Sequence, residues 1–197
     1  MARTVRAFQR VAIAAAAAAL GTWTAAFAQA DTPRTGDTFV GIDIGKPAYR
    51  TSCGNLAGLS CSNNGTSVSI TAGDMLTRNW GAELSYLDLG KADRGGGTVD
   101  ARGVNLSVVG RVPLGEWLDV QGKVGTTWGI THVNANPASG IENGRDSGFG
   151  LGYGVALGVH LGRGFRASAG WEQHDFHFIG QGTSAVKNVT LGVAYTF

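Results

Sequence analysis

The sequence predicts an all-β fold, an eight-stranded antiparallel up-and-down transmembrane β-barrel. Three observations predict it. Eight segments alternate apolar residues with small or polar ones, the period of a strand. The connections between them alternate between tight and long. Aromatic residues stand near both ends of those segments.

The chain has 197 residues, and its 32 glycines make up about one residue in six. That is more than twice the usual ~7%, yet no Gly-X-Y collagen period runs through it. Only 15% of residues are charged, against ~25% in an average soluble domain. The formal net charge of +2 excludes a binder that neutralises nucleic-acid phosphates along a basic stripe. It equally excludes an acidic disordered tail. One domain is expected at this length.

Residues 1–30 read as a secretory signal peptide, and 31–197 as the barrel domain. Arg3, Arg6 and Arg10 precede an apolar run from Val11 to Leu20, and Ala28-Gln29-Ala30 has the small-x-small form of a cleavage site, with Ala28 and Ala30 as its small residues. The strongly apolar run is short of the ~20 residues a spanning helix needs. Removing 1–30 takes away three arginines and no acids. The 16 basic residues become 13 against 14 acidic, and the net charge turns to −1.

Export gives the two cysteines meaning. Cys53 and Cys61 lie in one Gly/Ser/Asn-rich stretch and face an oxidising compartment. A local disulfide is expected, with two free thiols or half a metal site as alternatives. The lack of a histidine between them and of a second cysteine pair argues against zinc. Closing a loop of about nine residues would contribute roughly 2.5 kcal/mol.

The strands follow in order. Val40, Ile42 and Ile44 alternate in the first; Val68, Ile70 and Ala72 in the second; Trp80, Ala82, Leu84 and Tyr86 in the third; Val104, Leu106 and Val108 in the fourth. Leu118, Val120, Val124 and Trp128 mark the fifth. The sixth, 149–161, puts Phe149, Leu151, Tyr153, Val155, Leu157, Val159 and Leu161 on one face and four glycines, Ala156 and His160 on the positions between. Phe165, Ala167, Ala169 and Trp171 make the seventh, and Val189 to Phe197 alternates as the last. Several approach the 9–11 residues of a bilayer-crossing strand.

Residues 77–79, 113–116 and 162–164 read as tight turns, whereas 46–66, 90–100, 133–147 and 176–185 read as longer polar loops. Short turns at one end and long loops at the other are expected of a barrel in a bacterial outer membrane. A soluble sandwich would wet its second face with Lys, Glu, Thr and Gln. Here that face is glycine, alanine and serine, which fit the narrow interior of eight strands. Each tight turn is followed by an aromatic residue (Trp80, Trp117, Phe165), and Phe197 ends at the same rim. Tyr86, Trp128 and Phe149 stand toward the other, completing two girdles.

By strand parity, Asp43, Glu83, Arg111, Lys123, Arg166 and Glu172 point into the barrel. Facing lipid, a base near the midplane would cost ~2–4 kcal/mol; inside, the six are expected to pair. By the same parity, an inward Gly154→Ser is expected to be far better tolerated than Leu157→Arg or Val193→Arg on the lipid face.

Leu76 to Tyr86 resembles the second turn and third strand of the OmpA-like transmembrane barrels. Gly164-Phe165-Arg166 through Gly170-Trp171-Glu172 resembles their seventh strand, and Asn188 to Phe197 their closing strand. The resemblance covers roughly residues 35–197 and stops at that strand, so a cell-wall tether is not carried over; the two-cysteine first loop lies outside the pattern. It implies that the ending Val193, Tyr195 and Phe197 is read by the barrel-assembly machinery, with periplasmic chaperones as earlier partners. It also implies that the interior charges form either an ion-pair gate in a narrow pore or a static plug, and the small bore favours the plug.

Three features prompt other chemistries. His132, Asp146 and Ser147 could meet between loop and strand, but without the mutual geometry a hydrolytic site requires. His174 and His177 have opposite parity, which disfavours a metal site. The glycines of 148–154 lack both the dinucleotide spacing and a following helix. The sequence therefore predicts a non-enzymatic outer-membrane barrel without cofactor. Its partners are membrane lipid and lipopolysaccharide, not nucleic acid, and its external loops serve envelope integrity or surface interaction. A narrow channel and a lipid A-modifying enzyme are the competing readings.

Overall fold

The computed structural model describes residues 37–50, 62, 65–94 and 96–197. Residues 1–30, expected to be a signal peptide, with Ala28 and Ala30, and both Cys53 and Cys61, lie outside the described residues. Eight strands follow in chain order: β1 (Asp37–Tyr49), β2 (Ser67–Met75), β3 (Trp80–Arg94), β4 (Gly97–Pro113), β5 (Leu118–Asn134), β6 (Gly144–Gly162), β7 (Phe165–Phe178) and β8 (Gly182–Thr196). Each pairs antiparallel with the next, and β1 pairs with β8 from Phe39–Thr196 to Tyr49–Val186, so the sheet closes on itself. Closure leaves no edge along the seam, as a barrel surrounded by hydrocarbon requires.

The three tight turns are built by local chemistry. Thr77 Oγ1 accepts the backbone N–H groups of Asn79 (3.3 Å) and Trp80 (2.9 Å), closing the β2–β3 hairpin. In the β6–β7 turn Gly162, Arg163 and Gly164 all have positive φ, at 83°, 52° and 80°. Glycine adopts this region without steric cost, so two glycines flank the one side chain forced into it. Trp80, Trp117, Phe165 and Phe197 ring this end, all outward and exposed. Phe165 and Phe197 pack on either side of Tyr195, with ring centroids 5.0 and 5.1 Å away.

The other end departs from expectation. Residues 90–100 and 176–185 are mostly strand, not loop: β3 runs to Arg94 and β4 resumes at Gly97, while β7 runs to Phe178 and β8 resumes at Gly182. The reason is a second interior. Leu89, Val99, Val133, Phe176, Phe178 and Val186 are all buried inside this end in one apolar cluster. The strands continue because alternate residues still have something to bury. Tyr49 closes the cluster on the β1 side, its hydroxyl donating to the carbonyls of Leu89 (3.1 Å) and Gly90 (2.9 Å). Gly90 itself has φ 64° at a bulge between Asp88 and Lys91 that re-aims the top of β3.

The inside and outside of the sheet thus exchange character along the barrel axis. On β4 the outward residues from the turn end upward are Val112, Val108, Leu106 and Val104, then Arg102, Asp100 and Thr98. The inward ones are Arg111, Val109, Ser107 and Asn105, then Gly103, Ala101 and Val99. β5 repeats the change: Trp128 and Ile130 give way outside to His132 and Asn134, and Thr127 gives way inside to Val133. Below the exchange, greasy residues face outward with roughly half of each side chain's surface open, as at Ile42 (52%) and Leu106 (57%). Above it the sheet has the ordinary arrangement of a protein in water, apolar in and polar out.

A further departure concerns β6 and β7. Their register ends at Gly152–His174, although β6 continues along β5 to Gly144–Val133 and β7 along β8 to Phe178–Gly182. Above that point β7 passes on the inner side of β6 to reach β5, where Thr131 Oγ1 donates to the carbonyl of His177. Glycine permits this approach: a Cβ on Gly150 would meet the Asp175 carbonyl, and one on Gly129 the ring of Phe176. These glycines are contact surfaces as well as lumen fillers. Gly154, expected to accept a serine, is also crowded, with the Trp171 carbonyl and Glu172 Cβ each 2.9 Å from an added Cβ.

Candidate functional site

The six charged residues expected inside are inside, in two clusters beneath the apolar plug. In the middle of the barrel, Lys123 on β5 is the hub. Its Nζ lies 3.1 Å from Glu83 Oε1 on β3 and 2.8 Å from Glu172 Oε2 on β7. Asn188 Nδ2 donates to the other Glu172 oxygen (3.2 Å), and Ser67 Oγ donates to Asn188 (2.9 Å). Asp43 takes the Ser69 hydroxyl at 3.4 Å. Six of the eight strands send polar side chains into it, β1, β2, β3, β5, β7 and β8, so the cluster is stitched across most of the circumference.

The second cluster sits toward the turn end and centres on a residue missing from the expected set. Asp119 is held bidentately by Arg166, whose Nε and terminal nitrogen donate at 2.9 and 2.6 Å. Arg111 Nε lies 3.9 Å from Asp119 and its terminal nitrogen donates to Gln121 (3.1 Å), while His160 Nε2 lies 2.9 Å from the same carboxylate. The signal for Asp119 was in the sequence: it shares parity with Lys123, four positions on. Between this cluster and the first lies a cavity of ≈ 70 Å³ lined by Asp43, Glu83, Arg111, Lys123 and Arg166.

Above Lys123 a hydrogen-bonded chain leads to the plug. Ser107 Oγ donates to Asn105 Oδ1, Asn105 Nδ2 donates to Thr127 Oγ1 (2.9 Å), and Thr127 Oγ1 is 2.8 Å from His174 Nδ1. Phe176 and Phe178 then close the bore, both fully buried. Burial also pushes the Tyr49 phenol well above its ordinary value at this end. The interior is therefore a layered, paired and packed column.

The hydrolytic candidates are not brought together. His132 lies opposite Arg145 and Ser147 opposite Ile130, both on the outer face, whereas Asp146 has inward parity and accepts the Ser147 backbone N–H (2.8 Å). His174 and His177 fall on opposite faces, as parity required, and His177 Nε2 meets Thr183 Oγ1 at 3.2 Å. Among the described residues no group of three His, Cys, Asp or Glu side chains is placed to hold a metal ion. Val193 and Tyr195 line the outer face of β8, and Phe197 follows it with its N–H bonded to the Thr38 carbonyl (3.0 Å).

Comparison with known proteins gives the same architecture. Neisserial surface protein A superposes with a TM-score of 0.65 at 13% identity, covering 82% of this chain and 97% of that one. The N-terminal β-barrel domain of Pseudomonas aeruginosa OprF gives 0.55 at 14% identity, over 83% and 100%. Ail, the attachment invasion locus protein of Yersinia pestis, gives 0.54 at 17% identity, again over 83% and 100%. No curated protein matches the sequence. The family model of the outer membrane protein beta-barrel domain matches residues 12–197, and the chain belongs to that family.

Proposed function

We propose that this outer-membrane barrel is a non-enzymatic surface protein whose strand extensions and external loops make contacts beyond the membrane and add to envelope integrity, while its bore stays shut. The observation that carries this reading is the exchange of faces along the axis. A pore needs a continuous polar path, yet Phe176, Phe178, Leu89 and Val99 fill the bore above the charged clusters. A protein serving only as a membrane staple has no need of strands reaching past the hydrocarbon, whereas β4, β5 and β6 have 17, 17 and 19 residues against the ~9–11 that suffice to cross. Ail, one of the similar folds, is named for attachment and invasion, which agrees with a role at the cell surface.

The same reading includes export on residues 1–30 and recognition of Val193, Tyr195 and Phe197 by the assembly machinery after escort by periplasmic chaperones. Current recorded from the folded chain in planar bilayers tests the closed bore. No resolvable unitary conductance is expected; sustained openings would replace this reading with the narrow channel. Mass spectra of lipid A from cells with and without the protein test the enzymatic alternative, and identical spectra are expected.

A further inference from the structure

We propose that the outer face of β4–β6, at the level where the apolar band ends, binds the phosphate of an outer-leaflet glycolipid headgroup. The argument begins with height. On four neighbouring strands the last lipid-facing residues are Tyr86, Val104, Trp128 and Phe149, with Ile130 one position above Trp128. The next outward residues are polar or charged: Asp88 on β3, Arg102 on β4, His132 on β5, and Ser147 then Arg145 on β6. A depression of ≈ 270 Å³ straddles this boundary, with Tyr86, Val104 and Trp128 below and Arg102, His132 and Arg145 above. Hydrocarbon gives way to headgroups at that level, and Trp and Tyr favour it because their rings are amphipathic.

Charge accounting then singles out one cation. Arg102 Nε is 3.2 Å from Asp88, which also takes the Gly90 N–H at 2.9 Å. Asp100 stands between Lys91 and His132, paired in register with each. Arg145 lies opposite His132 and makes no ion pair or hydrogen bond among the described residues. In the two rows at this level, Lys91, Arg102 and Arg145 exceed Asp88 and Asp100 by one positive charge, and Asp93, one row higher opposite Thr98, takes the Ser62 hydroxyl. A guanidinium is weakly hydrated and presents a planar fork that matches phosphate oxygens. The Arg145 head, with Arg102 and His132 as flanking donors, supplies the anion site. Val104 and Ile130 below it supply a track for the acyl chains. The proposal rests on the membrane placement of the barrel and not on its surface role, so either can fail alone.

The test uses native mass spectrometry of the full barrel in neutral detergent with bisphosphorylated lipid A. Retention of one lipid A is expected, reduced five-fold or more in Arg145→Gln. The exposed turn-end variant Arg78→Gln is expected to bind as the wild type does. Heat-modifiable gel migration verifies that both variants are folded. Equal retention by Arg145→Gln overturns the site, and so does equal retention of dephosphorylated lipid A. Sucrose octasulfate, which has no acyl chains, binding as well as lipid A would also overturn it, since the anion would then need no lipid.

Discussion

Replacing Lys123 by methionine tests whether the interior charges act as one unit. The substitution keeps most of the side-chain volume and removes the cation 3.1 Å from Glu83 and 2.8 Å from Glu172. The two carboxylates, left within about 6 Å of each other, repel by roughly 3 kcal/mol at an effective dielectric of about 20. If one instead takes up a proton at pH 7, the cost from an ordinary glutamate value is about 3.7 kcal/mol. Both routes agree with the 3–5 kcal/mol typical of removing one partner from a buried pair. The expected loss for Lys123→Met is therefore about 3–5 kcal/mol, read by reversible urea unfolding in phosphatidylcholine vesicles through tryptophan emission. The triple variant Lys123→Met, Glu83→Gln, Glu172→Gln removes all three charges and should return to within ~1 kcal/mol of wild type, because a buried ion cluster contributes little net stability over neutral replacements. A single variant as stable as wild type would refute coupling through Lys123. A triple variant as weak as the single would show that Lys123 acts by packing.

The assigned faces predict that Leu157→Arg and Val193→Arg each weaken folding into lipid by ~2–4 kcal/mol. Gly41→Ser, inward and with its nearest neighbour 3.3 Å from an added Cβ, should be nearly neutral, and Gly154→Ser should cost more than Gly41→Ser; the same unfolding assay ranks all four. Phe176→Ala should cost ~3–5 kcal/mol by opening a cavity in the plug, and limited proteolysis should then cut the loop end before the membrane band. Deleting Phe197, which is 74% exposed and held by one backbone hydrogen bond and its edge contact with Tyr195, should shift unfolding midpoints little while lowering surface levels in cells, measured by whole-cell labelling.

Most of the membrane-crossing half was legible because parity carries it. One buried face and a period of two leave a single register for each strand, so Val104, Leu106 and Val108 outside imply Arg111 inside. Asp119, between Leu118 and Val120 of the fifth strand, obeys the same rule through Lys123, so its inward place was equally legible although it stands outside the expected set. The loop end was not legible for a different reason. There the alternation continues with its sign reversed: Val99 and Ala101 sit inside, Asp100 and Arg102 outside. Residues 90–100, small or charged apart from a few, look like loop composition when read as a string.

The reversal also explains why one strand design serves two solvents. Below the boundary the surrounding hydrocarbon gives no reward for burying leucine, so most of the packing inside falls to paired charges and small residues, with one small apolar group of Phe39, Met75 and Val109 toward the turn end. Above it water restores the hydrophobic effect, and the same strands collect Leu89, Val99, Phe176 and Phe178 at the centre. The glycines of β6 join the halves, because only a strand without side chains on its inner face lets β7 cross behind it and deliver Phe176 to Gly129. Closing the bore and raising the wall above the membrane are therefore one structural act. A variant that opens the plug should also loosen the external rim.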